Sequence, residues 1–154
     1  VATSAIEAGS YTVGAVTMSL SSDQGDLNQT SSGFGVNHTA SGGLEKTDQI
    51  DGAHGIETIT FSFSSAGTLD QLNFTNVGVL DELALTKNNL DTVSVTQNIL
   101  DLNISFLATD EFQLTYVSGN GVSFDSAIIT AVPEPSSALL LGFGGLVLLY
   151  RTRK

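Results

Sequence analysis

The residues of this chain best suited to chemistry are carboxylates in a polar, glycine-rich stretch that ends near residue 57. Asp48, Asp51 and Glu57 lie close together in sequence, and Gly52 follows Asp51 directly. Ca²⁺ prefers such hard oxygen ligands, because it takes about six to eight of them in flexible geometry. The spacing does not match an EF-hand loop. The sequence therefore leaves two alternatives, a calcium site or a solvated acidic loop.

Catalytic chemistry has no comparable pattern. The chain has no cysteine, which excludes thiol catalysis and thiolate metal sites. His38 and His54 lack a third strong ligand at a diagnostic zinc spacing, and no serine lies in a Gly-x-Ser-x-Gly elbow. Adjacent acids such as Asp110 and Glu111 point to opposite faces of a strand, so they are not a glycosidase pair. We therefore expect a protein that is not an enzyme and has no certain cofactor.

Charge is distributed unequally between the body and the C-terminal end. Three of the five Lys and Arg residues lie in the last four positions, which leaves Lys46 and Lys87 against 15 acidic side chains before residue 132. The resulting net charge of −13 argues against nucleic acid or anionic lipid as a partner of the body, because phosphate binding needs cationic side chains. The chain begins with Val1 and no basic and apolar leader precedes Ala2, so we expect an export signal to have been removed or left out.

Apolar residues of the body alternate with Thr and Ser between clusters of Gly, Asn and Asp, which is typical of antiparallel β-structure. The clearest alternation runs from residue 57 to 63 and predicts that Ile59, Phe61 and Phe63 face the core. About eight or nine strands at this spacing predict an all-β fold, an antiparallel two-sheet sandwich of jelly-roll type.

The other predicted elements follow from the same alternation. Residues 11–20 predict one strand with a bulge near Gly14, and residues 21–55 predict a long loop with one strand at most. Asn88-Asn89 predicts a turn, and Asn120-Gly121 favours a hairpin. Further strands are predicted at 69–77, 79–86, 92–96, 99–107, 111–117 and 122–132.

From Val132 onward the sequence changes character. Pro133 and Pro135 fix φ and remove two backbone donors, so the chain there continues neither a sheet nor a helix. The apolar run from Ala138 to Tyr150 then predicts a short transmembrane helix. Counted from residue 136, it would be roughly 22 Å long. It is shorter than the hydrocarbon core and spans only if its ends reach the headgroups.

Three basic residues close the chain: Arg151, Arg153 and Lys154. Such residues favour the cytoplasmic side, which places the body on the opposite side of the membrane. The alternative, a buried helix at the end of a globular domain, fits neither this basic tip nor the proline-rich start.

The order of these parts resembles a known signal. Val132-Pro133-Glu134-Pro135, an apolar stretch and a basic tip are similar to the PEP-CTERM sorting signal of Gram-negative envelope proteins, which the membrane-embedded cysteine protease exosortase reads. The resemblance implies passage across the inner membrane, transient anchoring by the tail, cleavage near Pro133 to Pro135, and a final place at the cell surface or in the extracellular matrix. We expect an exported β-sandwich domain at 1–131 and a sorting tail at 132–154.

The body has a resemblance of its own. The segment Phe124-Asp125-Ser-Ala-Ile-Ile129 is similar to the closing strand of jelly-roll carbohydrate-binding modules. In such modules, carboxylates near the sheet edge hold a structural Ca²⁺. The resemblance therefore implies that Asp125 meets Glu57 and joins Asp48 and Asp51 as a calcium ligand.

Two functions of different classes follow for the exported domain. One is a non-enzymatic envelope or matrix protein, and the other is a module that binds exopolysaccharide, with or without Ca²⁺. A strip of Tyr, Asn and Asp on one sheet face would favour binding, whereas a smooth Thr/Ser face with a free hydrophobic edge strand would favour assembly.

Overall fold

The computed structural model describes residues 4–6, 8–13, 16–37 and 48–132, and every regular element in these ranges is a β-strand. The strands are β1 (Ser4–Ile6), β2 (Ala8–Val13), β3 (Val16–Ser22), β4 (Asp26–Thr30), β5 (Gly33–Asn37), β6 (Thr58–Phe63), β7 (Gly67–Thr75), β8 (Glu82–Lys87), β9 (Leu90–Val95), β10 (Ile99–Phe106), β11 (Glu111–Ser118) and β12 (Ser123–Ala131).

The strands form two sheets of six. Sheet A has the order β1-β4-β5-β12-β7-β10, and sheet B has the order β2-β3-β6-β11-β8-β9. Neighbouring strands pair antiparallel in both sheets. Since the buried apolar side chains of the two sheets form one cluster, the molecule is a two-sheet antiparallel sandwich, as predicted.

Phenylalanine rings form the centre of the core. The Phe61 ring stacks on Phe112 with centroids 5.1 Å apart and on Phe124 with centroids 5.6 Å apart. Phe61 and Phe112 belong to sheet B and Phe124 belongs to sheet A, so this stack joins the two layers. Ile59, Phe61 and Phe63 are all buried, which confirms the predicted inward face of β6.

Strands β6 to β12 lie where the alternation predicts them, with ends that differ by three residues at most. The largest difference is at β8, which begins at Glu82 and not at Val79. Val79 and Leu80 are exposed in the turn between β7 and β8, so their apolar character does not mark a strand.

The predictions for the N-terminal part are wrong in two places. Residues 11–20 belong to two strands and not to one, because β2 pairs antiparallel with β3 and Val13 lies opposite Val16. The bulge predicted near Gly14 lies outside the described residues. The predicted loop at 21–55 contains two strands, β4 and β5. These strands form because Leu27, Phe34 and Val36 are buried, although their neighbours are small and polar.

The two predicted asparagine turns have different outcomes. Asn88 and Asn89 have φ values of 50° and 60° and join β8 to β9, as expected for a type I′ hairpin. The Asn120-Gly121 segment joins β11 of sheet B to β12 of sheet A, so the predicted hairpin is wrong. Gly119 and Gly121, with φ near 100°, take the chain from one sheet to the other.

The last described strand ends at Ala131 and the description ends at Val132. The predicted tail helix, the Pro133-Glu134-Pro135 motif and the basic tip lie outside the described residues. Within the ranges given above, the structure contains no helix that could span a membrane.

Candidate functional site

The acidic loop before β6 is tightly held. The Glu57 side chain, only 1% exposed, accepts a hydrogen bond from the Asp51 backbone N–H at 2.7 Å. Asp51 is also buried, and its Oδ1 accepts the Ala53 N–H at 2.8 Å. Next to it, Ile50 and Val122 exchange two backbone hydrogen bonds, which fix the loop against the start of β12. Each of the two carboxylates therefore accepts a backbone N–H of the loop and so stabilises its conformation.

The four residues predicted to bind calcium do not come together. Asp51 and Glu57 are in contact, whereas the Asp48 backbone carbonyl accepts the Ser123 hydroxyl. Asp125 is exposed beside Ser126, whose hydroxyl donates to Asp125 Oδ2 at 3.1 Å. Across the described part of the chain, no three His, Cys, Asp or Glu side chains are placed to hold a metal ion. The calcium site stays a prediction.

Asp81 is a buried carboxylate that joins two connections of the sandwich. It is 4% exposed, and its two oxygens accept the Gly78 N–H at 2.7 Å and the Asn120 N–H at 2.5 Å. A Cβ placed on Gly119 would lie 2.1 Å from Asp81 Oδ1, so only glycine fits there. Asp81 thus ties the β7–β8 turn to the β11–β12 crossing. Sequence alternation does not reveal this link, because Asn120 lies 39 residues away along the chain.

A charged contact joins the two sheets at the β9 and β10 edge. Lys87 Nζ lies 2.8 Å from Asp110 Oδ2 and donates to the Ser105 carbonyl of β10 at 2.7 Å. The hydrogen bond from Lys87, followed by those from the Leu107 N–H and the Asn88 amide, lowers the pKa of Asp110 to about 2. Lys87 is the one Lys or Arg in the described ranges. The other described carboxylates therefore have no described Lys or Arg to pair with.

The exposed face of sheet A carries a polar network. Gln71 Nε2 donates to Asn73 Oδ1 at 2.9 Å, and Asn73 Nδ2 donates to Ser126 Oγ at 3.0 Å. On the same two strands, Thr130 donates to Asp70 at 2.7 Å. Sequence alternation did not predict this network, because one bulge in β12 and one in β7 shift the register of these two strands. The network provides the Asn and Asp of a glycan-binding strip, but no tyrosine takes part in these bonds.

The outer face of sheet B is rich in hydroxyl groups. Thr58 and Thr115 share a hydroxyl hydrogen bond of 3.1 Å, and Thr12 and Thr17 share one of 2.9 Å. A shallow depression of about 390 Å³ on this face is lined by Ser10, Ser19, Leu20, Ser21, Thr60, Phe61, Ser62 and Glu111. At the β9 and β10 edges of the sandwich, Leu90, Ile99 and Leu107 are exposed.

The comparison with known families concerns the tail. Residues 131–154 match the family described as the PEP-CTERM protein-sorting motif. The sorting signal predicted from the Pro-Glu-Pro sequence, the apolar run and the basic tip is therefore confirmed. No curated protein and no solved structure matches the chain.

The sorting motif bears on the export route of the protein. It fits an exported protein that is processed by exosortase, and it implies transit through the membrane to the cell surface or the extracellular space. The processing partner implied is exosortase itself. The matched residues begin at Ala131, the last residue of β12.

Proposed function

We propose that this chain is a non-enzymatic component of the cell surface or extracellular matrix, anchored briefly by its tail and then released from it by exosortase. The observation that carries this proposal is the sorting motif at 131–154, which begins where the last strand of the sandwich ends. The domains are an exported body at 1–131 and a disposable tail at 132–154. The acidic body suits a hydrated matrix, where its carboxylates attract divalent cations.

The surface of the body supports an assembling role over a catalytic one. The outer face of sheet B is rich in Thr and Ser, and exposed Leu90, Ile99 and Leu107 lie at the β9 and β10 edges. Edge strands with exposed apolar side chains favour pairing between chains. The buried carboxylates Asp51, Glu57 and Asp81 bind neighbouring backbone amides, which is a folding role.

The strand order supports the jelly-roll interpretation of the body. Strands β5 to β12 lie in the order β5-β12-β7-β10 in one sheet and β6-β11-β8-β9 in the other. Two interleaved Greek keys produce this order, which is that of an eight-stranded jelly roll. The β1–β4 and β2–β3 pairs extend the two sheets on one side.

A second candidate function is the binding of exopolysaccharide on the exposed face of sheet A. The observation in its favour is the polar network of Gln71, Asn73 and Ser126, which presents amide and hydroxyl groups of the kind that hold sugar hydroxyls. Calcium could take part through the carboxylates predicted from the sequence, Asp48, Asp51, Glu57 and Asp125.

The sorting route is tested by replacing Pro133, Glu134 and Pro135 together with alanine in the native host. We expect the variant to keep its tail and to stay in the membrane fraction, because the motif that the protease reads is gone, while the unchanged chain is found outside the membrane. Thr152→Ala, a change within the tail that leaves both the motif and the basic residues intact, is the control. Release of the triple variant at the rate of the control would refute the route.

The binding candidate is tested by retention on exopolysaccharide from the same host, with and without EDTA. If sheet A binds glycan, Gln71→Ala combined with Asn73→Ala should weaken retention by about tenfold, since each lost hydrogen bond contributes about 0.5–1.5 kcal/mol. The matched control is Thr60→Ala with Gln113→Ala on the exposed face of sheet B. No retention of the unchanged protein under either condition would eliminate this candidate, and a loss caused by EDTA alone would point to calcium.

A further inference from the structure

Strand β10 forms an edge of sheet A. It pairs with β7 on one side, and no other strand within the described ranges pairs with its second side, which we call the free edge. The sequence from Ile99 to Leu107 contains a single charged residue, Asp101, and no proline. Edge strands of native proteins are commonly protected by lysine, by proline or by short length. β10 has eight residues and neither lysine nor proline among them, so its free edge is suited to pairing with another strand.

The backbone of β10 presents a regular row of donors and acceptors along the free edge. The Asn98 carbonyl accepts the Phe74 N–H at 2.7 Å, so it faces β7. The Ser105 carbonyl accepts Lys87 Nζ of sheet B at 2.7 Å, so it faces away from β7. Because the backbone groups of successive residues in a strand point to opposite sides, even-numbered residues face β7 and odd-numbered residues face the free edge. Both ends of β10 give the same assignment, although the register against β7 shifts between them.

The side chains of β10 divide in the same way. Those of the odd-numbered residues are exposed: Ile99, Asp101, Asn103 and Ser105. Those of the even-numbered residues are buried or pack against the core: Leu100, Leu102, Ile104 and Phe106. Ile99 is 52% exposed, and Leu107, which follows the strand directly, is 62% exposed. The free edge therefore has an exposed apolar side chain at each end and polar side chains between them.

We propose that two copies of this chain pair through β10, antiparallel about a twofold axis at Asn103, so that their A sheets become one continuous sheet. In this register, Asp101 lies opposite Ser105 of the second copy. Ile99 lies at the end of the ladder, beside Leu107 of the second copy. The inference rests on the assembling role in the proposed function and names the partner for that role.

Side-chain complementarity selects this register. Opposite residues of an antiparallel pair point to the same face, so the exposed odd-numbered side chains of the two copies meet one another. The axis at Asn103 places the one carboxylate of each edge opposite a hydroxyl group and away from its own copy. A shift by two residues in one direction places Ile99 opposite Ser105, and a shift in the other direction places Asp101 opposite Leu107. Both shifts set an apolar side chain against a polar one, which the axis at Asn103 avoids.

The pairing is expected to be weak and closed at two copies. Its ladder contains about six hydrogen bonds, and the Ser105 carbonyl that takes part in it also accepts Lys87 Nζ. An edge contact covers only a narrow strip, and the two strongly acidic bodies repel one another. Since each copy uses its β10 edge once, a third copy finds no free β10 edge. We therefore expect a dimer in rapid exchange with monomer, which a disulfide can trap.

The test places single cysteines in a chain that has none. Asn103→Cys puts the two thiols at the axis, where opposite Cα atoms are about 5.5 Å apart, a distance that a disulfide spans. Ser105→Cys is the matched control, because it is exposed on the same strand and leaves the charge unchanged. Its two copies would lie roughly 14 Å apart, too far for a disulfide. The full-length variants are purified in mild detergent and oxidised with glutathione disulfide at about 0.15 M salt.

We expect Asn103→Cys to form disulfide-linked dimers about tenfold faster than Ser105→Cys, since pairing raises the local concentration of the thiols at the axis. Equal rates for these two variants would overturn the proposal, because random collision would then explain both, and a faster rate for Ser105→Cys would overturn it as well. The measurement needs neither export nor exosortase. Equal rates would therefore leave the sorting route intact, and failed sorting would not change the rates.

A mixture of two variants tests the register itself. Asp101→Cys and Ser105→Cys chains should form mixed dimers about tenfold faster than either forms dimers with itself, because these positions lie opposite each other. Adding Asn103→Lys to both chains should remove this advantage, since two ammonium groups then meet at the axis. Mixed dimers that form no faster than the self-linked ones would refute the register, and so would an advantage that Asn103→Lys leaves unchanged.

Discussion

Replacement of Phe61 by alanine is expected to lower the free energy of unfolding by about 3–5 kcal/mol, as for other buried aromatic residues. Phe61 is 1% exposed, and its ring stacks on Phe112 in its own sheet and on Phe124 in the opposite sheet. Its loss leaves a cavity at the junction of the two layers, where neither sheet can move in without breaking its own hydrogen-bond ladder.

The measurement is urea unfolding followed by circular dichroism, with Leu107→Ala as the control. Leu107 is 62% exposed, so its replacement should change stability by no more than about 0.5 kcal/mol. Because the Phe61→Ala loss is a large part of the total stability of a typical domain, Phe61→Leu, which retains more of the volume, serves as an intermediate variant. Equal midpoints for Phe61→Ala and Leu107→Ala would mean that the inter-sheet stack does not hold the layers together.

Asp81→Ala is expected to destabilise the protein by about 2–4 kcal/mol, because it leaves two backbone N–H groups without their charged acceptor in a largely buried site. These are the amides of Gly78 and Asn120, at 2.7 and 2.5 Å from the carboxylate. The two connections that Asp81 joins should loosen together, so hydrogen exchange should accelerate at both amides.

The matched control is Asp101→Ala, which removes the same charge from an exposed position on β10. It should leave both the stability and the two exchange rates close to those of the unchanged protein. If both variants lose stability equally, charge and not the contact made by Asp81 is responsible. If exchange accelerates at Gly78 alone, the link to the β11–β12 crossing does not exist.

The fold could be predicted from the sequence where side chains alternate clearly. Strand β6, with Ile59, Phe61 and Phe63 separated by hydroxyl residues, shows its inward face directly. Strands β4 and β5 could not be predicted in this way, because glycines and small polar residues surround their few buried side chains and only packing against the core selects the extended form. Asn88-Asn89 predicts its turn, because a tight turn depends on local residues. Asn120-Gly121 gives no information on which sheet the next strand joins, because that depends on packing against the core.

The candidate sites also depend on tertiary contacts that the sequence pattern does not show. The sequence placed Asp51 and Glu57 in one group, and their contact in the structure agrees, but the amide that Glu57 binds belongs to the backbone and no side-chain pattern reveals it. The network of Gln71, Asn73 and Ser126 depends on bulges that change the register of β12. The tail was predictable because its signal is linear and does not depend on tertiary contacts: a proline motif, an apolar run and a basic tip in a fixed order.

The central claim is that this chain is exported and that its tail is removed. Intact-mass analysis of the protein recovered from the surface or the medium of its native host tests that claim most directly. The account predicts a mass that corresponds to a C-terminus near Pro133 to Pro135, which lie within the matched motif. A recovered protein whose mass still includes Arg153 and Lys154 would contradict it.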